Sequence, residues 1–319
     1  MLGLLKKKMR VNTLVAVCPD REGVAVAQIR RDHNVPPLLE LCHYQALDTT
    51  QQAKAGLQKL VKSAQLDRSL CISLVELDDY SLVMVEAPEV QPEEMVAAVR
   101  WRIKDLIDFD VNDAVIDVFA VPDTKAGVNK TMVYAVIGRA TEVRQRIEKL
   151  LVAGLQLEVV DIPELALRNI AALLPEDVAG VAMIYIGQDK GLITITRQQT
   201  LYLSRRFANG VNALPNTLMQ NDDQDDIENW LDGIIVEIQR SLDYYDSHFS
   251  LPPVSSLIIT PLSRELPGVA RYMSEQLDIP ARMLDVATLI DTEQELNSQL
   301  QSQCILAIGA ALRSESPTP

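Results

Sequence analysis

The sequence predicts an α/β protein made of two related halves, with a small β-α-β-β-α-β unit inserted between them. Three observations predict this. Three strand-like runs joined by tight turns open the chain at residues 13–46, and a similar group of three returns at residues 181–207. Residues 80–162 read β-α-β-β-α-β, the order of a split βαβ subdomain. The length of 319 residues corresponds to about two domains.

The first half is assigned to residues 1–79. Strands at Thr13–Val17 and Gly23–Arg30 flank the turn CPDREG, and LLELCHYQAL forms a third strand after the break at Pro36-Pro37. Apolar residues then recur at helical spacing over 49–65, which predicts a helix. CISLVEL reads as a further strand.

The inserted subdomain is assigned to residues 80–162. PEEMVAAVRWRIKDLI has proline and two glutamates in its first turn, which favours a helix start. DAVIDVFAVP and TMVYAVIGR are strands, TEVRQRIEKLLVAGL is a helix that ends at Gly154, and LEVVDIP is the last strand. An interdomain helix and linker follow at 163–180, the second half spans 181–313, and 314–319 form a disordered tail.

The stretch NDDQDDIEN at 221–229 carries five carboxylates. It lacks the glycine and the twelfth-position glutamate of a calcium-binding EF-hand loop, so a solvated loop is expected. The following helix has apolar residues at intervals of three and four, which predicts a core-facing stripe. The stripe comprises Ile227, Trp230, Leu231, Ile234, Ile238, Leu242 and Tyr245. A strand (VSSLIIT), a helix (LPGVARYMSEQL), a short strand near 281–284 and a closing helix complete the second half.

Composition excludes several classes of protein. A formal charge of −14 argues against coating of nucleic acid, which requires a basic surface. Four cysteines without a CxxC pair and three widely separated histidines predict neither a disulfide framework nor a metal site. No apolar run is long enough for a membrane helix, so a cytoplasmic protein is expected. The start MLGLLKKKMR is interpreted as a solvated segment, and the alternative is contact with anionic lipid.

Four stretches resemble the PilM family of type IV pilus assembly proteins, in that family's order. They are EEMVAAVRWRIKDLIDFDVNDAVIDVFAV, LLVAGLQLEVVDIPELALRNI, EIQRSLDYYDSHF and CILAIGAALR. The short N-terminus, low aromatic content and degenerate motifs are most similar to members that serve the mannose-sensitive haemagglutinin (MSHA) pilus. The resemblance implies an actin-like fold, with two RNase-H-like halves around a cleft. It also implies kinship with FtsA and with GspL of type II secretion.

Nucleotide-binding members of this superfold have one phosphate loop in each half and a glycine-rich adenosine loop. In the first loop the family's aspartate is replaced by Ala16, and the turn carries Pro19, which has no N–H for a phosphate. In the second loop, Tyr185 replaces the family's aspartate, although Gly187 is kept. In the expected adenosine loop, Ser263 replaces a glycine of the family pattern. Lys190 and Arg21 are the basic residues of the two turns. We therefore expect a vestigial cleft with no cofactor and no metal.

Three functions are compatible with an actin-like fold. The first is a non-catalytic adaptor in pilus biogenesis. The alternative is a nucleotide-binding actin-like ATPase of pilus or type II secretion assembly with a GspL-like role, and only that alternative involves ATP and magnesium. The third, a two-metal RNase-H-like enzyme, needs carboxylates on central strands, and the runs VAV, MIYI and LIIT have none.

The resemblance also implies a partner, a bitopic inner-membrane PilN-like protein whose cytoplasmic tail docks beside the inserted subdomain. Candidate groove residues are Met84, Val99, Trp101 and Phe109. For each of the two helix residues, Val99 and Trp101, taken alone, core packing is the favoured explanation, because the helix must bury one face. The partner would hold the protein at the inner membrane, and other pilus components are further candidate partners.

Overall fold

A computed structural model describes residues 13–20, 22–32, 35–46, 50–67, 69–121, 131–214 and 224–314. Its strands are β1 (Thr13–Pro19), β2 (Gly23–Arg30), β3 (Leu38–Ala46), β4 (Leu70–Leu74), β5 (Tyr80–Glu86), β6 (Ala114–Ala120), β7 (Met132–Arg139), β8 (Gln156–Asp161), β9 (Val181–Ile186), β10 (Gly191–Arg197), β11 (Thr200–Phe207), β12 (Ser256–Ile259), β13 (Ala281–Met283) and β14 (Asp291–Thr292). Its α-helices are α1 (Thr50–Ser63), α2 (Met95–Ile103), α3 (Ala140–Val152), α4 (Pro163–Ala171), α5 (Gln224–His248), α6 (Val269–Leu277) and α7 (Ser298–Ala311).

The two large sheets repeat one layout. In the first, β3, β2 and β1 form an antiparallel meander, and β4 and then β8 continue from β1 in parallel. In the second, β11, β10 and β9 form the meander, and β12 and then β13 continue from β9 in parallel. The repeated opening predicted from the sequence is therefore a true duplication of the sheet.

The inserted subdomain has a three-stranded sheet in the order β5-β7-β6. The predicted order of elements over 80–162 is correct, but the last strand belongs elsewhere, because β8 pairs in parallel with β4 at the edge of the first sheet. The preceding helix α3 also turns towards that sheet, where Leu150 packs with Val15 and Val17. The subdomain sheet thus ends at Arg139, and the expected boundary at 162 is corrected.

Helices α4 and α7 lie between the two large sheets. Their apolar residues share one core with Ala27 and Ile29 of the first sheet and Met183 and Leu192 of the second. Helices α1 and α3 cover the outer face of the first sheet, and α5 and α6 cover the outer face of the second. The molecule therefore has five layers, which run helix, sheet, helix, sheet, helix.

The end of the chain returns to the first half. Strand β14 pairs with β3, and α7 packs on β1, β2 and β3. Assignment of all of 181–313 to the second half is therefore corrected. Within the stretch expected to be a loop at 221–229, α5 already begins at Gln224, while 221–223 lie outside the described residues. All seven residues of the predicted stripe on α5 are buried.

Candidate functional site

A cleft opens where the two halves face each other, between the turn after β1 and the turn after β9. Its lining includes Pro19 and Asp20 from the first turn, Gly187 and Lys190 from the second, and Leu306 of α7. The cavity measures about 210 Å³, below the range of about 300–1,000 Å³ that small-molecule pockets usually span.

The first turn is closed by its own side chain. The Asp20 carboxylate accepts hydrogen bonds from the backbone N–H groups of Glu22 (2.8 Å) and Gly23 (2.6 Å). Arg146 of α3 donates to the Pro19 carbonyl at 3.0 Å. A phosphate-binding turn presents N–H groups to an anion. Here an anion belonging to the protein already holds two of these donors.

The second turn is packed against the segment that follows β11. The N–H groups of Gly210, Val211 and Asn212 donate to the carbonyls of Asp189, Gly187 and Gln188 at 3.1, 2.9 and 2.8 Å. This approach is close, because a Cβ on Gly210 would lie 2.2 Å from the Gln188 carbonyl oxygen. The second turn is therefore held in place by backbone hydrogen bonds from residues 210–212.

The cleft is strongly acidic. Among the described residues that line it, five carboxylates face one basic side chain, that of Lys190, and they are Asp20, Glu22, Glu76, Asp78 and Asp189. Lys190 forms an ion pair with Asp78 across the cleft. Burial raises the pKa of Tyr185 to about 12, with Asp20 and Glu22 adding to the shift. Partial desolvation, Asp20 and Asp189 raise the pKa of Glu22. The field of this cleft disfavours a triphosphate and favours cations.

The structure brings together some of the residues predicted for the vestigial cleft. Pro19, Tyr185 and Gly187 line it. Ala16 does not, because it is fully buried in the core between the halves. Ser263 lies in a separate depression with Asn297 at the start of α7. Lys190 lies at the cleft, whereas Arg21 is outside the described residues.

The four predicted groove residues do not form one groove. Met84 faces the second half and packs against its core, whereas Val99 is fully buried under the subdomain sheet. Phe109 is half-buried beneath the Arg139 guanidinium, 4.1 Å from its ring centroid. Trp101 is 75% exposed on α2, so the core-packing explanation is wrong for Trp101 and right for Val99.

Sequence reasoning missed Asp20 and Arg146. An aspartate three residues before a glycine is a recognised turn signal and could have revealed the self-capped turn. Arg146 gave no local signal, since it reaches Pro19 across 127 positions. Among the described residues, no three His, Cys, Asp or Glu side chains are placed so that they could hold a metal ion, and no helix there is long and apolar enough to span a membrane.

Comparison with known proteins places this geometry in context. The family described as type IV pilus assembly protein PilM matches residues 45–229, more than half of the chain. None of the curated proteins compared with the sequence matches it.

Solved structures cover almost the whole chain. A PilM–PilN type IV pilus biogenesis complex matches with a TM-score of 0.77 and 19% identity, over 97% of this chain and 100% of that one. The cytoplasmic domain of EpsL, an inner-membrane component of the type II secretion system of Vibrio cholerae, matches with a TM-score of 0.51 and 12% identity, over 95% and 96% of the two chains.

A Bacteroides thetaiotaomicron protein with an actin-like ATPase fold matches with a TM-score of 0.46 and 9% identity, over 95% and 98% of the two chains. The duplicated sheets around a cleft, with a small subdomain inserted after β4, are the actin-like architecture expected from the sequence. With the family match over residues 45–229, this chain belongs to the PilM family of type IV pilus assembly proteins.

Proposed function

We propose that this protein is a non-catalytic cytoplasmic adaptor in type IV pilus biogenesis, and that it docks the cytoplasmic tail of a bitopic inner-membrane PilN-like protein. The observation that carries the proposal is the likeness, along 97% of the chain, to a structure solved as a PilM–PilN complex. The partner holds the adaptor at the inner membrane. The degenerate turns and an aromatic content of 4% support an MshI-like role in an MSHA-type pilus.

The chemistry of the cleft supports the non-catalytic part of the proposal. Binding of a nucleoside triphosphate needs backbone donors for its oxygens and magnesium to offset its charge. In the first turn, Asp20 takes two backbone donors and Pro19 offers none. Carboxylates outnumber the one lysine among the described residues that line the cleft. An anionic ligand therefore meets repulsion and few free donors.

Calorimetric titration with magnesium-ATP tests this part. We expect no binding tighter than about 100 μM, or roughly −5.5 kcal/mol. Tighter binding supports the alternative, a nucleotide-binding ATPase of pilus or secretion assembly. An Asp20→Ala variant should bind magnesium-ATP more tightly than the wild type, because the substitution frees the Glu22 and Gly23 N–H groups and removes one carboxylate.

The inserted subdomain supports the docking part. Its helix α2 presents Trp101 on the solvent side, with Ala97 one turn before it and Leu106 beyond its end, and all three are exposed. Trp101 forms none of the described hydrogen bonds or ring contacts. A large aromatic side chain on the surface is the typical anchor of a protein interface. We assign Trp101 as the anchor for the partner's tail. Met84 instead packs the subdomain against the second half.

The test is titration of the full chain with a synthetic peptide of the cognate PilN-like cytoplasmic tail. Trp101→Ala should weaken binding at least tenfold, the loss of about 1.4 kcal/mol or more that truncation of an interface anchor brings. The matched control is Val178→Ala, because Val178 is 69% exposed and lies outside the subdomain. This variant should bind the peptide as tightly as the wild type. Circular dichroism must show that both variants are folded. Equal affinity of Trp101→Ala and wild type would reject Trp101 as the anchor.

Localisation tests recruitment itself. In cells that lack the PilN-like protein, the adaptor should move from the membrane fraction to the soluble fraction. Full retention at the membrane would contradict recruitment by this partner and would favour the segment MLGLLKKKMR as the attachment.

A further inference from the structure

Residues 75–79 join β4 of the first half to β5 of the inserted subdomain, and we call them the connector. Three cations from three different elements converge on the connector and its two flanking residues. They are Arg146 of α3, Lys190 of the turn after β9, and Arg206 of β11. The first of the two covalent connections between the first half and the subdomain is thus held by contacts from several elements.

Arg206 makes the most extensive contact with the connector. Its Nη1 donates to the Leu77 carbonyl at 2.5 Å and to the Tyr80 carbonyl at 2.9 Å. Its guanidinium carbon lies 4.1 Å from the centroid of the Tyr80 ring, a cation–π distance. Because Arg206 belongs to the second half, these contacts bind that half to the chain segment that carries the subdomain.

Glu164 contacts both Tyr80 and Arg206. It lies in the first turn of α4, is fully buried, and accepts a hydrogen bond from the Tyr80 hydroxyl. The Arg206 Nη2 lies 3.4 Å from its carboxylate. A buried carboxylate is stable only with its partners in place. The three side chains therefore stabilise one another. They come from three parts of the molecule, with Arg206 on β11 of the second half, Tyr80 on β5 of the subdomain and Glu164 on α4 between the sheets.

Arg146 holds the opposite side of the connector. Its Nη2 lies 2.7 Å from Glu76 and 3.1 Å from Asp79, and its Nη1 donates to the Leu74 carbonyl at 3.0 Å. The same Nη1 donates to Pro19 in the cleft turn. The connector is therefore linked directly to the second wall of the cleft by the ion pair of Asp78 with Lys190, and to the first wall through Arg146.

We propose that the connector is a joint that sets the orientation of the inserted subdomain and the second half relative to the first half, with Arg206 as its central contact. A change in the subdomain is transmitted to the cleft through this joint. The described contacts come from the protein's own cations, which hold the halves in this orientation. The proposal stands on these contacts and does not depend on the identity of the docked partner.

The test is Arg206→Lys, which keeps the charge but cannot reach two carbonyls and a carboxylate with one planar group. Its matched control is Arg205→Lys, the neighbouring residue on β11, which lies 3.9 Å from Glu237 of α5. Hydrogen–deuterium exchange of peptides that cover 75–86 should rise about tenfold or more in Arg206→Lys, as expected for a lost charge-assisted hydrogen bond. Arg205→Lys should leave it unchanged.

Orientation is measured with spin labels on cysteines introduced at Val115 of the subdomain and Val236 of α5, both exposed. The distance distribution should be narrow in the parent and broader in Arg206→Lys. Unchanged width and unchanged exchange would overturn the proposal. If Arg206→Lys unfolds, Tyr80→Phe replaces it, since it removes the hydroxyl bound to Glu164 and keeps the ring. Wild-type exchange in folded Tyr80→Phe would then overturn the proposal.

Discussion

The two halves meet along two very different surfaces. Deep in the molecule, α4 and α7 pack through small residues, and Gly309 lies so close to Ala166 that a Cβ there would be 2.3 Å from its carbonyl oxygen. At the cleft, the contact is polar and is made by Lys190 with the Asp78 carboxylate and by Arg206 with the Leu77 carbonyl. The first surface excludes water, and the second is partly open to it.

This difference separates two tasks. Close packing of apolar groups is the main source of stability, whereas partly exposed ion pairs contribute little free energy. The polar surface nevertheless fixes directions, because forked hydrogen bonds are specific in geometry. We infer that the α4–α7 contact keeps the halves together and that the cleft contacts set their angle.

The largest effect is expected for Gly309→Ala. The added methyl group meets the Ala166 carbonyl oxygen and carbon, at 2.3 and 2.7 Å, and these are backbone atoms of α4. The two helices must move apart, which should reduce the free energy of unfolding by about 3 kcal/mol. Chemical denaturation followed by circular dichroism measures the change.

Gly233→Ala is the control for this substitution. Gly233 is also inside a helix, and its added methyl group would meet only the Asn209 side-chain nitrogen, at 2.4 Å, which can rotate away. The helix gains about 0.5–1 kcal/mol from alanine, so the net change should be small. Equal losses in the two variants would show that the α4–α7 contact is not the cause.

A smaller effect that depends on pH is expected for Glu164→Gln. Burial raises the pKa of Glu164 above its ordinary value near 4.5, and Arg206 offsets only part of the shift. The folded state therefore binds the proton more tightly than the unfolded state, and the contribution of Glu164 to stability is greatest below its ordinary pKa. It falls as pH rises through the folded-state pKa.

The stability of the wild type relative to Glu164→Gln should accordingly decrease as the pH rises above about 4.5, the ordinary pKa of a glutamate. Urea denaturation of both proteins at a series of increasing pH values measures the difference. Asp161→Asn is a useful parallel, because burial also raises the pKa of Asp161 despite its ion pair with Arg313. A difference that stays constant or grows with pH would contradict this interpretation of Glu164.

The smallest effect is expected for Lys190→Ala. The side chains of Lys190 and Asp78 are 44% and 43% exposed, so their ion pair should contribute less than about 1 kcal/mol. The loss should disappear in high salt, where exposed charges are screened. A loss well above this value that persists in 1 M salt would mean that the polar surface contributes to stability as much as the apolar one.

Periodicity in the sequence predicted the elements well, because it reports which faces are apolar. The stripe on α5 from Ile227 to Tyr245 is buried as expected, and the two meanders appear where the runs of alternating residues end in turns. Which sheet a strand joins is a different matter. Strand β8 follows the subdomain in sequence but pairs with β4, and no local pattern encodes that choice.

The candidate site was harder to predict than the fold. The residues Ala16 and Tyr185, which replace the family's aspartates, predict an altered cleft. The turn at Asp20 is closed by a local hydrogen bond, but its contact with Arg146 joins distant segments of the chain. Trp101 shows the same limit. Its spacing on α2 fits a buried position as well as an exposed one, and only the packing of Val99 and Ile103 against the sheet decides which face of the helix is outside.

The return of the C-terminal segment to the first half has a consequence for synthesis on the ribosome. Gln294 hydrogen-bonds both the N–H and the carbonyl of Cys42, a separation of 252 positions. Contacts of such long range slow folding, and incomplete cores are prone to aggregate. Until α7 emerges, the inner face of the first sheet, including Ala27, Ile29 and Leu39, lacks its cover. The half of the molecule that is translated first is therefore the last to complete its core, and we expect it to need protection by chaperones during that interval.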